Sequence, residues 1–113
     1  MAVAMIESCG IYSANLNPNK HQEIGKIRPV IVLTSQEFIC LYPLVFVCPL
    51  SSKSFGVKFH VKISKRQGLN NDSYALIEHM RAISINRLSE ELIAKITFEE
   101  KASIIENLNA MLS

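Results

Sequence analysis

The feature that most constrains this chain is a pair of short, almost wholly apolar runs. They are residues 29–33 (PVIVL) and 44–48 (LVFVC), both rich in β-branched side chains. Such runs are typical of strands buried on both faces of a sheet. Pro49 follows the second run, and because proline cannot donate to a strand ladder, we expect that strand to end there. With 113 residues the chain can build one hydrophobic core around this sheet, so we predict a single domain.

Three further segments are predicted strands: residues 9–16, 57–63 and 74–77. The alternation is cleanest in 57–63 (VKFHVKI), whose apolar residues should face the core. Its polar residues, Lys58, His60 and Lys62, should then face outward together. Residues 17–26 and 66–72 have turn chemistry, and 34–43 is predicted to be a loop with room for a helical turn.

The end of the chain changes from strand to helix periodicity. Residues 97–100 (TFEE) have the Thr-x-x-Glu form of a capping box, which predicts a helix from about Phe98 to Leu112. One face of this helix carries Phe98, Ala102, Ile105, Leu108 and Leu112. Short strands followed by one amphipathic helix indicate an α+β, mostly β, fold: a small antiparallel barrel or sandwich with a C-terminal α-helix.

Composition excludes several classes of protein. The apolar fraction of 49% argues against disorder, and no apolar run approaches the roughly 18–20 residues that span a bilayer. Residues 1–6 do not have the form of a secretory signal. Cys9, Cys40 and Cys48 have no C-x-x-C spacing, so we expect buried free thiols and a cytoplasmic protein.

The charge is unevenly distributed. Residues 1–88 carry ten Lys or Arg against five acids, whereas residues 89–113 carry two Lys against five Glu. Residues 51–68 contain no acid, and their basic residues are Lys53, Lys58, Lys62, Lys65, Arg66 and the titratable His60. Such a strip attracts polyanions through counterion release, although lysines on an edge strand can also serve only to prevent aggregation.

Polar side chains stand where the apolar runs end. In chain order they are Arg28, Ser51, Ser52, Glu78, His79 and Arg81. A guanidinium suits bidentate binding of phosphate, a hydroxyl adds a hydrogen bond, and His79 or Glu78 could move a proton. Each also has a structural interpretation: Arg28 could be only a surface ion-pair partner for Glu23, and Ser51 only a turn former. His21, His60 and His79 are not at metal-ligand spacing, and no phosphate-binding glycine loop is present, so we predict no metal and no cofactor.

Taken together, these blocks closely resemble the MazF/PemK toxin family. The resemblance is carried by residues 10–12 (GIY), 14–18 (ANLNP), 23–33 (EIGKIRPVIVL), 47–52 (VCPLSS) and 77–83 (IEHMRAI). It covers nearly the whole chain in the right order, as one toxin domain over residues 1–113.

The resemblance implies an SH3-like barrel, a cytoplasmic homodimer and no membrane association. It also implies a sequence-specific, metal-independent endoribonuclease, or mRNA interferase. The substrate's own 2′-OH attacks the adjacent phosphate of single-stranded RNA, which leaves a 2′,3′-cyclic phosphate and a 5′-OH. A cognate antitoxin with an extended, acidic tail is expected to block the basic groove.

By position, Arg28 matches the family's catalytic arginine, and Ser51 takes the place of a hydroxyl residue that is commonly Thr. The family's Asp-Gln-x-Arg block is Glu78-His79-Met80-Arg81 here, so the general base is open among Glu78, His79 and His21. The residues predicted to be catalytic are Arg28, Ser51, Glu78 and His79. Those predicted to bind RNA are Asn17, Lys20, His21, Lys26, Ser52, Lys53, Lys58, His60 and Arg81.

Two other functions fit the same scaffold. One is a gyrase-poisoning toxin that acts through its C-terminal helix; it needs exposed determinants there, whereas residues 112–113 are expected to be a packed helix end. The other is a non-catalytic nucleic-acid-binding module that uses the Lys58, His60 and Lys62 face, with Tyr12 and Phe55 as stacking platforms.

Overall fold

The computed structural model describes residues 5–17, 26–54, 56 and 58–113. Within them, seven antiparallel strands form one curled sheet in the order β4-β5-β3-β2-β1-β7, with β6 also paired to β3. The strands are β1 Gly10–Asn15, β2 Ile27–Val32, β3 Leu44–Ser51, β4 Val61–Ile63, β5 Ser73–Ala75, β6 Arg81–Ser84 and β7 Ala94–Lys95. The α-helices are α1 Gln36–Leu41 and α2 Phe98–Leu112, and short 3-10 helices cover Ile77–His79 and Ile85–Arg87. The predicted mostly β fold with a C-terminal helix is confirmed.

Strand β3 continues through the proline that was expected to end it. One edge pairs with β2, and the other pairs first with β6, up to Val47, and then with β5, from Leu50. Pro49 lies between these two partners, and its carbonyl accepts a hydrogen bond from Leu76 N at 2.9 Å. Because the N and C=O of one strand residue point to the same side, the missing N–H of Pro49 faces the gap in the ladder. The proline therefore costs no strand hydrogen bond.

Both faces of the sheet are covered, as the two apolar runs predict. Alternate residues of the same strands belong to two buried clusters: Ile31 and Cys48 to one, Val30 and Val47 to the other. Helix α2 contributes Ile104 to the first cluster. The short helix α1, capped by Ser35, lies within the predicted loop 34–43 and contributes to the second cluster.

The strand predicted over 57–63 is shorter than its alternation indicates. Only Val61–Ile63 is strand; Lys58 and Phe59 lie in a turn, and residue 57 is outside the described residues. The His60 side chain is 1% exposed, so the prediction that it faces outward with Lys58 and Lys62 is wrong. It points inward because Glu78 binds it there, which the alternation could not reveal.

The region after residue 72 also contains more separate elements than the sequence predicts. The expected strand 74–77 ends at Ala75, and a 3-10 turn over Ile77–His79 redirects the chain into β6. Strands β6 and β7 were not predicted, because neither has a clear apolar run or alternation.

Helix α2 is confirmed with its capping box, but the apolar face read from the sequence is mostly not the buried one. Ile104 is 0% exposed, whereas Phe98 and Leu112 are 81% and 75% exposed. Leu108 packs partly against the core. The remaining stripe lies on the surface, so the expectation of a packed helix end is wrong.

The three cysteines are free, but only Cys48 is buried; Cys9 is half-buried and Cys40 is exposed. Burial raises the pKa of Cys48 to about 12, with a smaller contribution from Glu78, so its thiol stays protonated at neutral pH. In the described part of the chain, no helix is long and apolar enough to cross a membrane. Within the same residues, no group of three or more His, Cys, Asp or Glu could hold a metal ion.

One partly buried ion pair ties the β4–β5 connection to α2. Both terminal nitrogens of Arg66 donate to the Glu100 carboxylate, at 2.7 and 2.6 Å, and Nη1 also donates to Lys95 O at 3.1 Å. The Arg66 hydrogen bonds lower the pKa of Glu100 below its usual range, against the opposing effect of burial. Glu100 therefore stabilises the folded state in its ionised form.

We expect Glu100→Gln to lower the free energy of unfolding at pH 7 by about 1–3 kcal/mol, the usual cost of losing charge-assisted hydrogen bonds. Glutamine can still complete the capping box, so the change isolates the charge. The stabilisation is present above the carboxyl's unfolded pKa and is lost as pH falls through its folded pKa. Urea unfolding at pH 7 and pH 3 should show the difference from wild type shrinking in acid.

The control is Glu99→Gln, an exposed carboxylate in the same first turn of the helix. It should change stability by less than about 0.5 kcal/mol. Equal losses from both variants would show that the ion pair has no special role.

Candidate functional site

A pocket with both polar and apolar lining opens where β2 begins and β3 ends. Its volume is about 460 Å³. It is lined by Arg28, Pro29, Leu50, Ser51, Ser52, Gly68, Leu69, Asn70, Asn71, Ser73 and Ile93. The last β2–β3 pair is Val30 with Pro49, and continuing that register would place Arg28 opposite Ser51. The two strands separate beyond this pair, and the opening between them holds three of the predicted site residues.

Arg28 enters this pocket with unused hydrogen-bonding capacity. Its Nε is buried and has no hydrogen-bond partner among the described residues. Its Nη1 makes one long contact of 3.4 Å, to Leu50 O. Since a buried donor without an acceptor is costly, the guanidinium is arranged for a ligand that supplies acceptor atoms.

Ser51 is positioned to complement Arg28. Its Oγ accepts a hydrogen bond from Lys53 N at 3.1 Å, which fixes the side chain and leaves the hydroxyl proton to be donated elsewhere. Ser52 lines the same pocket, whereas Lys53 is exposed and is not among the lining residues. A guanidinium beside a free hydroxyl donor is an arrangement that binds oxyanions such as phosphate.

The opposite wall was not predicted from the sequence. It comes from the connection between β4 and β5, which places Gly68, Leu69, Asn70 and Asn71 at the pocket. Gly68 has φ +92°, and a Cβ there would lie 1.8 Å from Ile93 O, so only glycine permits this approach. The residues were recognisable as a turn, but nothing in their order showed that the turn faces Arg28.

Glu78 is grouped with His60 rather than with the pocket residues. His60 Nε2 lies 2.8 Å from both carboxylate oxygens and donates to them. Partial burial would raise the pKa of Glu78, but the His60 hydrogen bond and other favourable contacts outweigh it, so the pKa lies below its usual range. His79 follows in the same 3-10 turn and is half-buried. Neither Glu78 nor His79 lines the pocket.

Arg81 provides a second guanidinium with unsatisfied donors. It lies opposite Val47 in the β3–β6 pairing, and Val47 is opposite Val32 of β2. Arg81 therefore shares a sheet face with Arg28, which is four residues before Val32. Its Nη1 is buried and unpartnered within the described part of the chain.

The other predicted RNA-binding residues are more dispersed. Asn17 Oδ1 accepts from Lys26 N at 2.8 Å, which joins the two ends of the segment that contains Lys20 and His21. Lys20 and His21 themselves lie outside the described residues. Lys58 is exposed, with its ammonium 5.9 Å from the centre of the Phe59 ring.

Of the two predicted stacking platforms, only Tyr12 lies within the described residues. Tyr12 is 1% exposed and its hydroxyl accepts from Glu7 N at 2.9 Å, so its expected role as a surface platform is wrong. Phe55 is outside the described residues. The basic strip is also partly neutralised, because Arg66 pairs with Glu100 and Lys62 lies 3.6 Å from Asp72.

Sequence comparison identifies the family. Residues 7–112 match the family described as PemK-like, MazF-like toxin of type II toxin–antitoxin system. The chain is 32% identical over 110 residues to a protein named Endoribonuclease MazF from Staphylococcus epidermidis, covering 95% of this chain and 88% of that one. The name of this relative gives the same enzyme class, endoribonuclease, as the sequence predicts.

Solved structures agree on the fold. MazF from Deinococcus radiodurans superposes with a TM-score of 0.83 at 23% identity, over 96% of both chains. A MazE–MazF structure from the same organism gives a TM-score of 0.75 at 20% identity, again over 96% of both chains. The predicted resemblance is confirmed: this chain belongs to the PemK-like, MazF-like toxin family of type II toxin–antitoxin systems.

Proposed function

We propose that the chain is a sequence-specific, metal-independent endoribonuclease that cleaves single-stranded mRNA in the cytoplasm, as the toxin of a toxin–antitoxin pair. The observation that carries the proposal is the buried, unpartnered Nε of Arg28 in a pocket that also holds Ser51. A phosphodiester supplies the acceptor oxygens that these donors lack. The endoribonuclease name of the Staphylococcus epidermidis relative supports the same substrate.

The chemistry follows from where charge develops. The 2′-oxygen of the RNA bonds to the adjacent phosphorus and its proton passes to a base, while the bond from phosphorus to the 5′-oxygen breaks and that oxygen takes up a proton from solvent water. The products are a 2′,3′-cyclic phosphate and a 5′-OH end. Arg28 stabilises the negative charge on the phosphorane, and the Ser51 hydroxyl donates to a non-bridging oxygen. Lys53 N holds the Ser51 side chain before the substrate arrives, so little reorganisation of that group accompanies the reaction.

Arg28→Ala should reduce cleavage about 100-fold to 1,000-fold, as expected for removing one donor to a developing oxyanion. Arg28→Lys should recover part of the loss, because it restores the charge without the planar fork. Initial rates on single-stranded RNA in EDTA, with the product ends mapped, measure both effects.

Lys65→Ala is the control, since Lys65 is exposed and does not line the pocket. It should cleave at nearly the wild-type rate. Intact RNA with wild-type protein across varied sequences would contradict the nuclease assignment, and a strict magnesium requirement would contradict metal independence. Normal cleavage by Arg28→Ala would keep the enzyme and reject this mechanism.

Among Glu78, His79 and His21, Glu78 is the proton acceptor that we favour. The His60 hydrogen bonds hold its carboxylate in place, and its lowered pKa keeps it ionised well below neutral pH. A base is active only when deprotonated, so wild-type activity should stay nearly flat as pH falls from about 7 to about 5. Glu78→Gln should lose about 100-fold or more in rate.

His79→Gln is the matched variant, because it restores the amide that the family usually has at that position. It should keep most of the activity. A rate that falls steeply between about pH 7 and 6 would instead indicate an imidazole base, since unperturbed imidazoles titrate there.

We further propose that two copies assemble through an apolar surface formed by α1 and the start of β3. Its residues are Phe38, Leu41, Tyr42, Leu44 and Phe46, which are 44–66% exposed. Phe38 and Tyr42 stack with their ring centres 5.6 Å apart, which forms a flat aromatic area. Apolar patches of this kind on a soluble protein mark interaction sites, and the family resemblance implies a homodimer.

Phe46→Glu should shift the protein from dimer to monomer in analytical ultracentrifugation, because it places a charge within that apolar surface. Phe98→Glu is the control, on the separate exposed stripe of α2, and should leave the dimer intact. The opposite result would move the interface to α2, and a wild-type monomer at micromolar concentration would reject the dimer.

The antitoxin is the remaining partner that we propose. An extended acidic segment would pair with the Arg28 pocket and the exposed lysines beside it, and it would exclude RNA from the same donors. One observation favours the gyrase-poisoning alternative, because the apolar stripe at Phe98, Ala102 and Ile105 is exposed. It leaves the unpartnered Arg28 donor without a role, so RNA cleavage remains the better assignment.

A further inference from the structure

The wall of the pocket opposite Arg28 presents two carboxamides. Asn70 and Asn71 are adjacent, exposed and line the pocket. Neither side-chain amide makes a hydrogen bond within the described ranges 5–17, 26–54, 56 and 58–113. The backbone carbonyl of Asn71 is used locally, accepting from Ser73 Oγ at 3.2 Å. The amide donors and acceptors are therefore available to a ligand in the pocket.

The segment that carries these amides is held on both sides. Arg66 and Leu69 exchange two backbone hydrogen bonds, of 3.0 and 2.8 Å, around a turn that contains Gly68. Lys65 N donates to Asp72 Oδ1 at 2.8 Å, which closes the segment at its base. With Arg66 anchored to Glu100 on α2, Asn70 and Asn71 sit at the tip of a fixed frame. A fixed amide loses little entropy on binding, which favours selective recognition.

The chemistry of the pocket matches one nucleotide. A phosphate fits the Arg28 and Ser51 side, as proposed above. Leu69 and Ile93 also line the pocket and give it an apolar portion, which suits contact with a base. Each asparagine amide carries a donor beside an acceptor, the pattern that pairs with the edge of an unstacked base in single-stranded RNA.

We propose that Asn70 and Asn71 read the base next to the scissile phosphate and so determine part of the cleavage sequence. This inference rests on the proposed endoribonuclease function. It assigns Arg28 and Ser51 to the phosphate, which every sequence shares, and the asparagines to the base, which differs between sequences. The two walls of one pocket thereby have separate roles.

The experiment is to digest a pool of random-sequence RNA with wild-type protein, Asn70→Ala, Asn71→Ala and the double variant, and to sequence the product ends. At one position flanking the cut, discrimination between bases should fall about 5-fold to 100-fold, the range for losing bidentate base contacts. Cleavage of RNAs that carry the disfavoured base should fall much less than cleavage of preferred RNAs. Both residues are exposed, so thermal unfolding should be unchanged.

Gln67→Ala is the matched control, because Gln67 is an exposed amide of the same turn that does not line the pocket. Its cleavage profile should equal that of wild type. A double variant with the wild-type profile would overturn the inference, as would an equal loss of rate on every sequence, which would indicate a phosphate contact. Wild-type protein that leaves all RNA intact would overturn the proposed function itself, and the two failures are therefore distinguishable.

Discussion

The structure depends on one strand, β3, that forms hydrogen-bonded ladders with three others. β3 pairs with β2 along one edge and divides its other edge between β6 and β5. A strand can change partners only where its ladder is interrupted, and Pro49, with no N–H, lies at that interruption. On the edge that faces β2, the pairing ends at Val30, so Arg28 and Ser51 lie at an opening rather than within a continuous ladder.

Much of the fold was predictable because buried elements have recognisable apolar patterns in the sequence. The apolar runs of β2 and β3 and the capping box of α2 each correspond to an element within a few residues. Elements with little burial were missed or misjudged. β7 is two residues long, and the stripe read from α2 includes Phe98 on the solvent side. Periodicity shows that a helix has an apolar face, but it does not show which of two faces the sheet covers.

The candidate site was likewise predictable from the sequence only in part. Arg28 and Ser51 could be named as candidates because they flank apolar strands, and both line one pocket because β2 and β3 are antiparallel neighbours. His60 and Glu78 are eighteen positions apart, and no pattern links them. Their pairing exists only because the 3-10 turn at Ile77–His79 brings Glu78 against His60. Asn70 and Asn71 were recognised as turn residues, and only the left-handed backbone of Gly68 brings that turn to the pocket.

The β4–β5 segment separates the residues that hold its shape from those that face the pocket. Arg66, Gly68 and Asp72 carry the anchoring contacts, whereas the two asparagine side chains make no hydrogen bond within the described part of the chain. Substitutions at the tip should therefore cost little stability, whereas those in the frame would remove the contacts that hold the segment in place. Such a division makes the scaffold evolvable. On the proposed assignment of the asparagines to a base, a new target sequence would need only one or two changes at the tip, and the contacts that hold the fold would stay intact.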